Sequence, residues 1–274
     1  MIQEFRVRLL GCLLVSSIRL LAQAPQPDHN VTELAKTTQN PVGDLVSVPF
    51  QFNFNSGGAL RDETFFNLNF QPVIPIHISP KVTLISRTIV PFNSFSGPNG
   101  TRYSGAGDIQ QQTFFTPGKA GKVIWGIGPA FSLPAATALP AQTGTWAAGG
   151  SAVVLAMPGP WVLGSLFSQL SPLTDANGQP RTNLFLWQYF VNYNFSKGWA
   201  IASAPSITAN WDAPSGQQWT IPVGLGISRT TVFNRQPMTL TFQYYKNVRK
   251  PDNSPGTLAR FAVTFIFPQR PSGK

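Results

Sequence analysis

Leu258-Ala259-Arg260-Phe261-Ala262-Val263-Thr264-Phe265-Ile266-Phe267-Pro268 sets Phe261, Val263, Phe265 and Phe267 on one side at strict period two, with Arg260, Ala262, Thr264 and Ile266 on the other. Such a stripe is unsuited to a water-exposed face. It faces either a protein core or lipid. Lying near the end of the chain, it reads as the last strand of a sheet that has to meet the first.

The same alternation recurs upstream. Val46, Val48, Phe50, Phe52 and Phe54 share a face against Ser47, Pro49, Gln51, Asn53 and Asn55. Phe66, Leu68, Phe70, Ile74 and Ile76 oppose Asn67, Asn69, Gln71 and His77, and Val123, Trp125, Ile127 and Phe131 oppose Gly126, Gly128, Ala130 and Ser132. Trp219, Ile221, Val223, Leu225 and Ile227 oppose Thr220, Gly224, Gly226 and Ser228, while Met238, Leu240, Phe242 and Tyr244 oppose Thr239, Thr241, Gln243 and Asn247. This is the apolar-out, polar-in pattern of membrane strands. Starts near Leu45, Thr64, Lys81, Asp108, Lys122, Thr145, Gly159, Thr182, Trp199, Gln217, Pro237 and Leu258 predict about twelve strands, those near Asp108 and Gly159 being weakly patterned. The connectors nearly alternate long and short, with long ones at Asn55 to Glu63, Asn93 to Gly107, Pro134 to Gly144, Pro172 to Arg181 and Val248 to Thr257. Short periplasmic turns and longer outer loops produce that alternation; a soluble sandwich does not. The predicted fold is therefore all-β, a membrane-spanning antiparallel up-and-down barrel with a short N-terminal helix.

Composition agrees. Charged residues make up 11% of the 274 residues, against roughly 25% in a typical soluble domain, and sustained helical periodicity is lacking. Residues 1–24 read as a secretory signal, with Arg6 and Arg8 before an apolar run from Leu9 to Leu21, although Arg19 interrupts the run and Pro25 follows directly. Cys12, the only cysteine, lies inside it. Residues 25–44 form a periplasmic segment whose helix, over Asp28 to Asn40 and stopped by Pro41, serves as a linker or as a plug at the barrel mouth. The barrel then spans 45–268 and a tail 269–274. The net charge of +10 falls mostly in turns and forms no basic face or recognition module, so nucleic acid is excluded as a partner. Anionic lipid head groups or anionic solutes suit it better.

Aromatic placement predicts two interfacial girdles. Trp199 and Trp211, on one face, are separated by about 40 Å of strand, or about 30 Å of height at a tilt near 40°. Trp187 and Tyr193 bracket the preceding strand, and Trp219 opens the next. Against a barrel stand Pro49, Pro72, Pro75, Pro129, Pro205 and Pro222, each removing a ladder donor where no edge is free. Bulges with lumen water on the orphaned carbonyls are the expected remedy.

Glu33-Leu34-Ala35-Lys36, Gln39-Asn40-Pro41, Pro49-Phe50-Gln51, Gln71-Pro72-Val73-Ile74-Pro75 and the run Leu84 to Pro91 belong to a pattern continued by Gly107-Asp108-Ile109, Trp125-Gly126-Ile127-Gly128-Pro129, Gly159-Pro160-Trp161, Trp219-Thr220-Ile221-Pro222 and Phe265-Ile266-Phe267-Pro268. With these the chain resembles a family of Gram-negative outer-membrane β-barrel transporters that carries a misleading neuromedin-U-like label and is related to barrels of phenol-degradation MetA-pathway clusters. The resemblance covers nearly all of the chain after the signal. It implies an outer-membrane barrel acting in uptake or efflux, with no substrate fixed. The chain departs from it in extending past Phe267 to Lys274.

For catalysis the sequence offers only His29 and His77, the latter near a turn, and isolated Asp108, Asp175, Asp212 and Asp252. No metal or cofactor is expected and no enzyme activity is predicted. The strand assignment lines a lumen or substrate path with Gln51, Asn53, Asn67, Asn69, Gln71, Arg87, Gln188, Asn192, Thr241, Gln243 and Arg260. Amide walls suit many solutes, and Arg87 and Arg260 favour anions. The expected function is a passive outer-membrane channel for small molecules, hydrophobic, aromatic or anionic, leaving past the segment before Leu45. Its partners would be outer-membrane lipid and lipopolysaccharide, the barrel assembly machinery and a small solute. The alternatives are a non-conducting structural or adhesive barrel, a lipid-modifying barrel enzyme and a secreted soluble β protein.

Overall fold

The computed structural model describes residues 31–58, 65–96, 101–137, 146–173 and 183–268. The predicted signal 1–24, His29, Asp175 and the tail 269–274 lie outside the described residues.

Strand segments β1 (Leu45–Ser56), β2 (Phe65–Phe70), β3 (Val73–Ser79), β4 (Val82–Ser96), β5 (Arg102–Ala106), β6 (Ile109–Pro117), β7 (Val123–Leu133) and β8 (Ala147–Ala156) are followed by β9 (Trp161–Pro172), β10 (Leu184–Asn194), β11 (Trp199–Ser203), β12 (Ser206–Asn210), β13 (Trp219–Phe233), β14 (Gln236–Arg249) and β15 (Thr257–Pro268). All belong to one antiparallel sheet. β2 with β3, β5 with β6, and β11 with β12 are single staves with a break in each, so the sheet has twelve staves in meander order. β15 pairs with β1 from Leu45↔Pro268 to Ser56↔Thr257, and the barrel closes. A closed sheet leaves no edge for lipid to strand.

Outward positions on β7 are Val123, Trp125, Ile127 and Phe131, all exposed, while Ile124, Gly126, Ala130 and Ser132 between them are buried. β13 and β14 repeat this with Val223, Leu225, Ile227, Leu240, Phe242 and Tyr244 outward. On β15 Phe261 faces out and Arg260 and Ala262 face in, with Phe52 of β1 beside Phe261 at 6.1 Å between rings. The stripes thus face outward all around the cylinder.

Two expectations are corrected. Asn93 to Gly107 is not simply a loop: β4 continues to Ser96 and pairs with β5, so the stave expected to begin near Asp108 begins at Arg102. The interior is also not polar throughout. Ile85, Phe114, Ile124, Val153, Leu155, Val162, Leu166 and Phe190 point inward and pack into one cluster with Val42 and Val73. Each lies in the half of its stave nearer the short turns. Gly164 makes room for this packing, because a Cβ there would collide with the Phe190 ring and the Leu155 Cβ.

The prolines are accommodated in several ways. Pro72 and Pro205 occupy stave breaks, and Pro222 sits at the register shift of β13 against β14. Pro49 faces the first break, where its carbonyl accepts from the Gln71 amide at 2.9 Å. The ladder of β6 with β7 skips Thr113 and Phe114 opposite Pro129 and Gly128. There the Ser151 hydroxyl donates toward the Thr113 and Gly128 carbonyls, at 3.4 and 3.3 Å, so a side chain from β8 supplies what the missing amide does not.

Helix α1 (Val31–Thr38) lies at the short-turn end, with Leu34 and Ala35 buried against the 3-10 turn Ser196–Gly198 and β13. Gly198 has φ +74°, and a Cβ on it would press on Val31 Cγ1 at 2.8 Å. Gln39 and Asn194 exchange amide hydrogen bonds of 2.9 and 3.1 Å, fixing the chain after the helix to β10.

Candidate functional site: the lumen

Antiparallel register places inward residues of neighbouring staves directly opposite one another, so polar positions in consecutive strands form rows around the wall. One row runs through Arg260, Asn53, Asn67 and Asn93, which are register partners across β15, β1, β2 and β4. Arg260 Nε donates to Asn53 Oδ1 at 2.8 Å, Asn53 Nδ2 to Asn67 Oδ1 at 3.0 Å, and Asn67 Nδ2 to Asn93 Oδ1 at 2.9 Å. A second row is built on Arg87. Its Nη1 donates to Gln112 Oε1 at 3.0 Å and its Nη2 to Gln71 Oε1 at 2.9 Å, and Gln71 Nε2 donates to Gln51 Oε1 at 2.9 Å.

The third contributor is backbone. At the break after β11, the Ala204 amide donates to the Tyr245 hydroxyl at 3.1 Å, while its carbonyl accepts from Arg260 Nη1 and Gln188 Nε2, both at 3.4 Å. The Arg260 guanidinium also stands over the Tyr245 ring, 5.6 Å from its centroid. Breaking the stave at Ala204-Pro205 therefore turns main-chain polar groups toward the arginine.

These rows surround a cavity of about 340 Å³ that Gln51, Asn53, Asn67, Asn69, Gln71, Arg87, Gln188 and Arg260 line together with Asn55, Gln110 and Ser206. Ile89, Pro91, Phe65, Leu186 and Leu258 contribute apolar surface to the same space. A wider opening of about 510 Å³ lies at the long-loop end among Leu184, Thr208, Asn210, Gln217 and Asp252. At the other end the lumen meets the apolar cluster, with Val42 of the N-terminal segment inside it. The Ala204 break thus sits between a polar chamber and an apolar floor.

Eight of the eleven predicted lumen residues line this one cavity. Gln243 is buried beside it with its amide on the Ala202 carbonyl at 3.5 Å, and Thr241 is half-buried farther along β14. Asn192 is separate: it is buried in β10 opposite Val162 and Ala202, with its Oδ1 unpartnered among the described residues. Asn93, Gln112, Tyr245 and the Ala204 backbone escaped the sequence reading. Asn93 and Gln112 are the register partners of Asn67 and Arg87, which the pattern already contained, so extending β4 past Pro91 would have found the first.

On the outer surface, Trp211 and Trp219 meet edge to face at 5.6 Å beside Phe185 at the long-loop end. Trp161 packs on Tyr193 at 4.8 Å at the short-turn end, where Arg229 lies over Trp199 at 5.1 Å. Trp187 lies between the two levels, stacked on Phe167 at 6.0 Å. His77 stands at the short-turn rim with Nε2 3.1 Å from Asp44 Oδ1, both side chains substantially exposed.

No family model matches the chain, and no curated protein does. Among solved structures, an outer-membrane channel of Pseudomonas putida F1 is similar over 89% of this chain and 100% of its own, with a TM-score of 0.60 at 14% identity. Looser likenesses reach outer membrane phospholipase A of Escherichia coli (TM-score 0.44, 8% identity, 80% of this chain and 95% of that one) and the toluene transporter TodX of Pseudomonas putida (0.39, 8%, 90% and 95%). At such identities the first likeness shows the fold alone, and it agrees with the sheet described above: this chain folds as a closed antiparallel β-barrel of twelve staves.

Proposed function

We propose that the protein is an outer-membrane channel that passes small organic solutes without consuming energy. The single observation carrying this reading is the amide- and arginine-lined cavity inside the barrel, set below a wider opening at the long-loop end. Solute enters between the long loops, exchanges water for amide hydrogen bonds in the chamber, and leaves when the apolar floor and the segment holding Val42 give way. The short-turn end is assigned to the periplasm, and the Phe and Trp belt to lipid, with lipopolysaccharide at the long-loop rim. Assembly into that membrane would use the barrel assembly machinery, after export through the periplasm.

Transport is favoured over catalysis because the polar groups lining the cavity are amides and guanidinium ions with one hydroxyl, Ser206, and no histidine or carboxylate in that lining stands ready to activate it. The apolar floor favours one rival, a non-conducting structural or adhesive barrel. Planar-bilayer recording of the full chain separates them. Anion-preferring conductance that rises in Val42→Ser and loses anion preference in Arg87→Ala supports the channel. Silence in both the wild type and Val42→Ser supports the rival.

A further inference from the structure

We propose that the chamber between Arg87 and Arg260 is a binding site for a small organic carboxylate. The site is the one the solute path crosses, so its use in transport rests on that reading, whereas its ligand chemistry follows from the side chains alone.

A guanidinium carries five N–H groups. Arg260 gives one to Asn53 and one to the Ala204 carbonyl, and Arg87 gives one each to Gln112 and Gln71. Three N–H groups on each therefore have no partner among the described residues. Arg260 lines the cavity yet is only 8% exposed, so little of it meets bulk water. Every acceptor the two arginines do have is a neutral amide oxygen. Among the described residues each Asp and Glu lies outside the strands, and neither guanidinium has a carboxylate at ion-pair distance.

Two like charges thus line one cavity inside a cylinder jacketed by hydrocarbon, with no carboxylate among the described residues paired to either. Unpaired charge so placed is costly, and an anion in the cavity removes the cost. A carboxylate matches the geometry of a guanidinium fork, and both guanidinium-bearing side chains line this one cavity. The rest of the space selects the ligand body: Ile89, Pro91, Phe65, Leu186 and Leu258 offer an apolar surface that an inorganic anion would leave unused. A volume of about 340 Å³ lies at the lower end of the range for small-molecule sites, which suits a single ring or a short chain.

The test is calorimetric titration of the detergent-solubilised full chain with sodium benzoate, against benzyl alcohol and sodium phosphate at matched ionic strength. Benzoate should bind, benzyl alcohol at least tenfold more weakly. Arg87→Gln and Arg260→Gln should each weaken benzoate at least tenfold, with folding checked by the gel shift on heating. Leu258→Trp, which keeps both charges but fills the apolar side, should weaken benzoate and spare any phosphate signal. The proposal is overturned if benzoate gives no signal at millimolar concentration, or if both arginine variants bind it as the wild type does. Displacement of benzoate by equimolar phosphate also overturns it, by showing a site for inorganic anions. Benzoate binding by a preparation that does not conduct would leave this site standing and remove the channel. Conduction without benzoate binding would do the reverse.

Discussion

Arg260 and Asn53 are register partners across the seam where the last strand meets the first, and the Arg260 Nε donates to Asn53 Oδ1 at 2.8 Å. The bond joins residues far apart in sequence and heads the row that continues to Asn67 and Asn93. The contact that closes the barrel at this seam is thus also a member of the polar wall.

Asn53→Leu should loosen that seam. It leaves a buried charged donor and the Asn67 amide oxygen without partners, at a cost of about 3 kcal/mol. The urea midpoint of folding into lipid vesicles reads this. An unchanged midpoint would mean the row contributes little to closure.

Phe261, one residue along from Arg260, faces out near the middle of β15. Phe261→Arg should therefore cost about 2–4 kcal/mol in the same assay, the depth-dependent penalty for charge on a lipid face. Lys246, also outward but close to the long-loop rim, should tolerate Lys246→Ala within about 1 kcal/mol. Equal effects at the two sites would contradict the lipid-facing belt.

Ser151 and Pro129 should be coupled. Ser151→Ala removes the hydroxyl from the Thr113 and Gly128 carbonyls and should cost about 1–2 kcal/mol. In a Pro129→Ala background, where an amide can reach Thr113, the same change should cost less. Additive effects in the double-mutant cycle would remove Ser151 from that role.

The apolar floor should respond to volume. Gly164→Ala drives a methyl into Phe190 and Leu155 and should destabilise by about 1–3 kcal/mol, with relief when Phe190→Leu is added. Phe190→Ala alone should cost about 3–5 kcal/mol by thermal denaturation and raise single-channel conductance, because it opens the closed half of the lumen. A conductance no higher than wild type would place the barrier elsewhere.

The outer face was legible in the sequence wherever one side of a strand was apolar and the other polar, as in Phe261 to Phe267, Val123 to Phe131 and Val223 to Ile227. Period-two patterning names the two faces of a strand, and an up-and-down topology leaves only the choice of which face meets lipid. The floor was not legible for the same reason. In β8 and β9, Val153, Val154 and Leu155, then Val162, Leu163 and Leu166, are apolar on both faces, so alternation is silent about what the inward side chains do.

Eight of the lumen positions were assigned from alternation alone and line one chamber, yet no pairwise relation among them could be read from a linear chain. That Arg260 meets Asn53, that Arg87 meets Gln71, and that the broken stave lends Ala204 to the arginine all depend on register and on where prolines interrupt it. By itself the chain determines a run of strands with one apolar and one polar face, because strand alternation is a local property. Only the tertiary structure decides that the cylinder holds an arginine chamber above an apolar floor, because register between distant strands sets which side chains share the space inside.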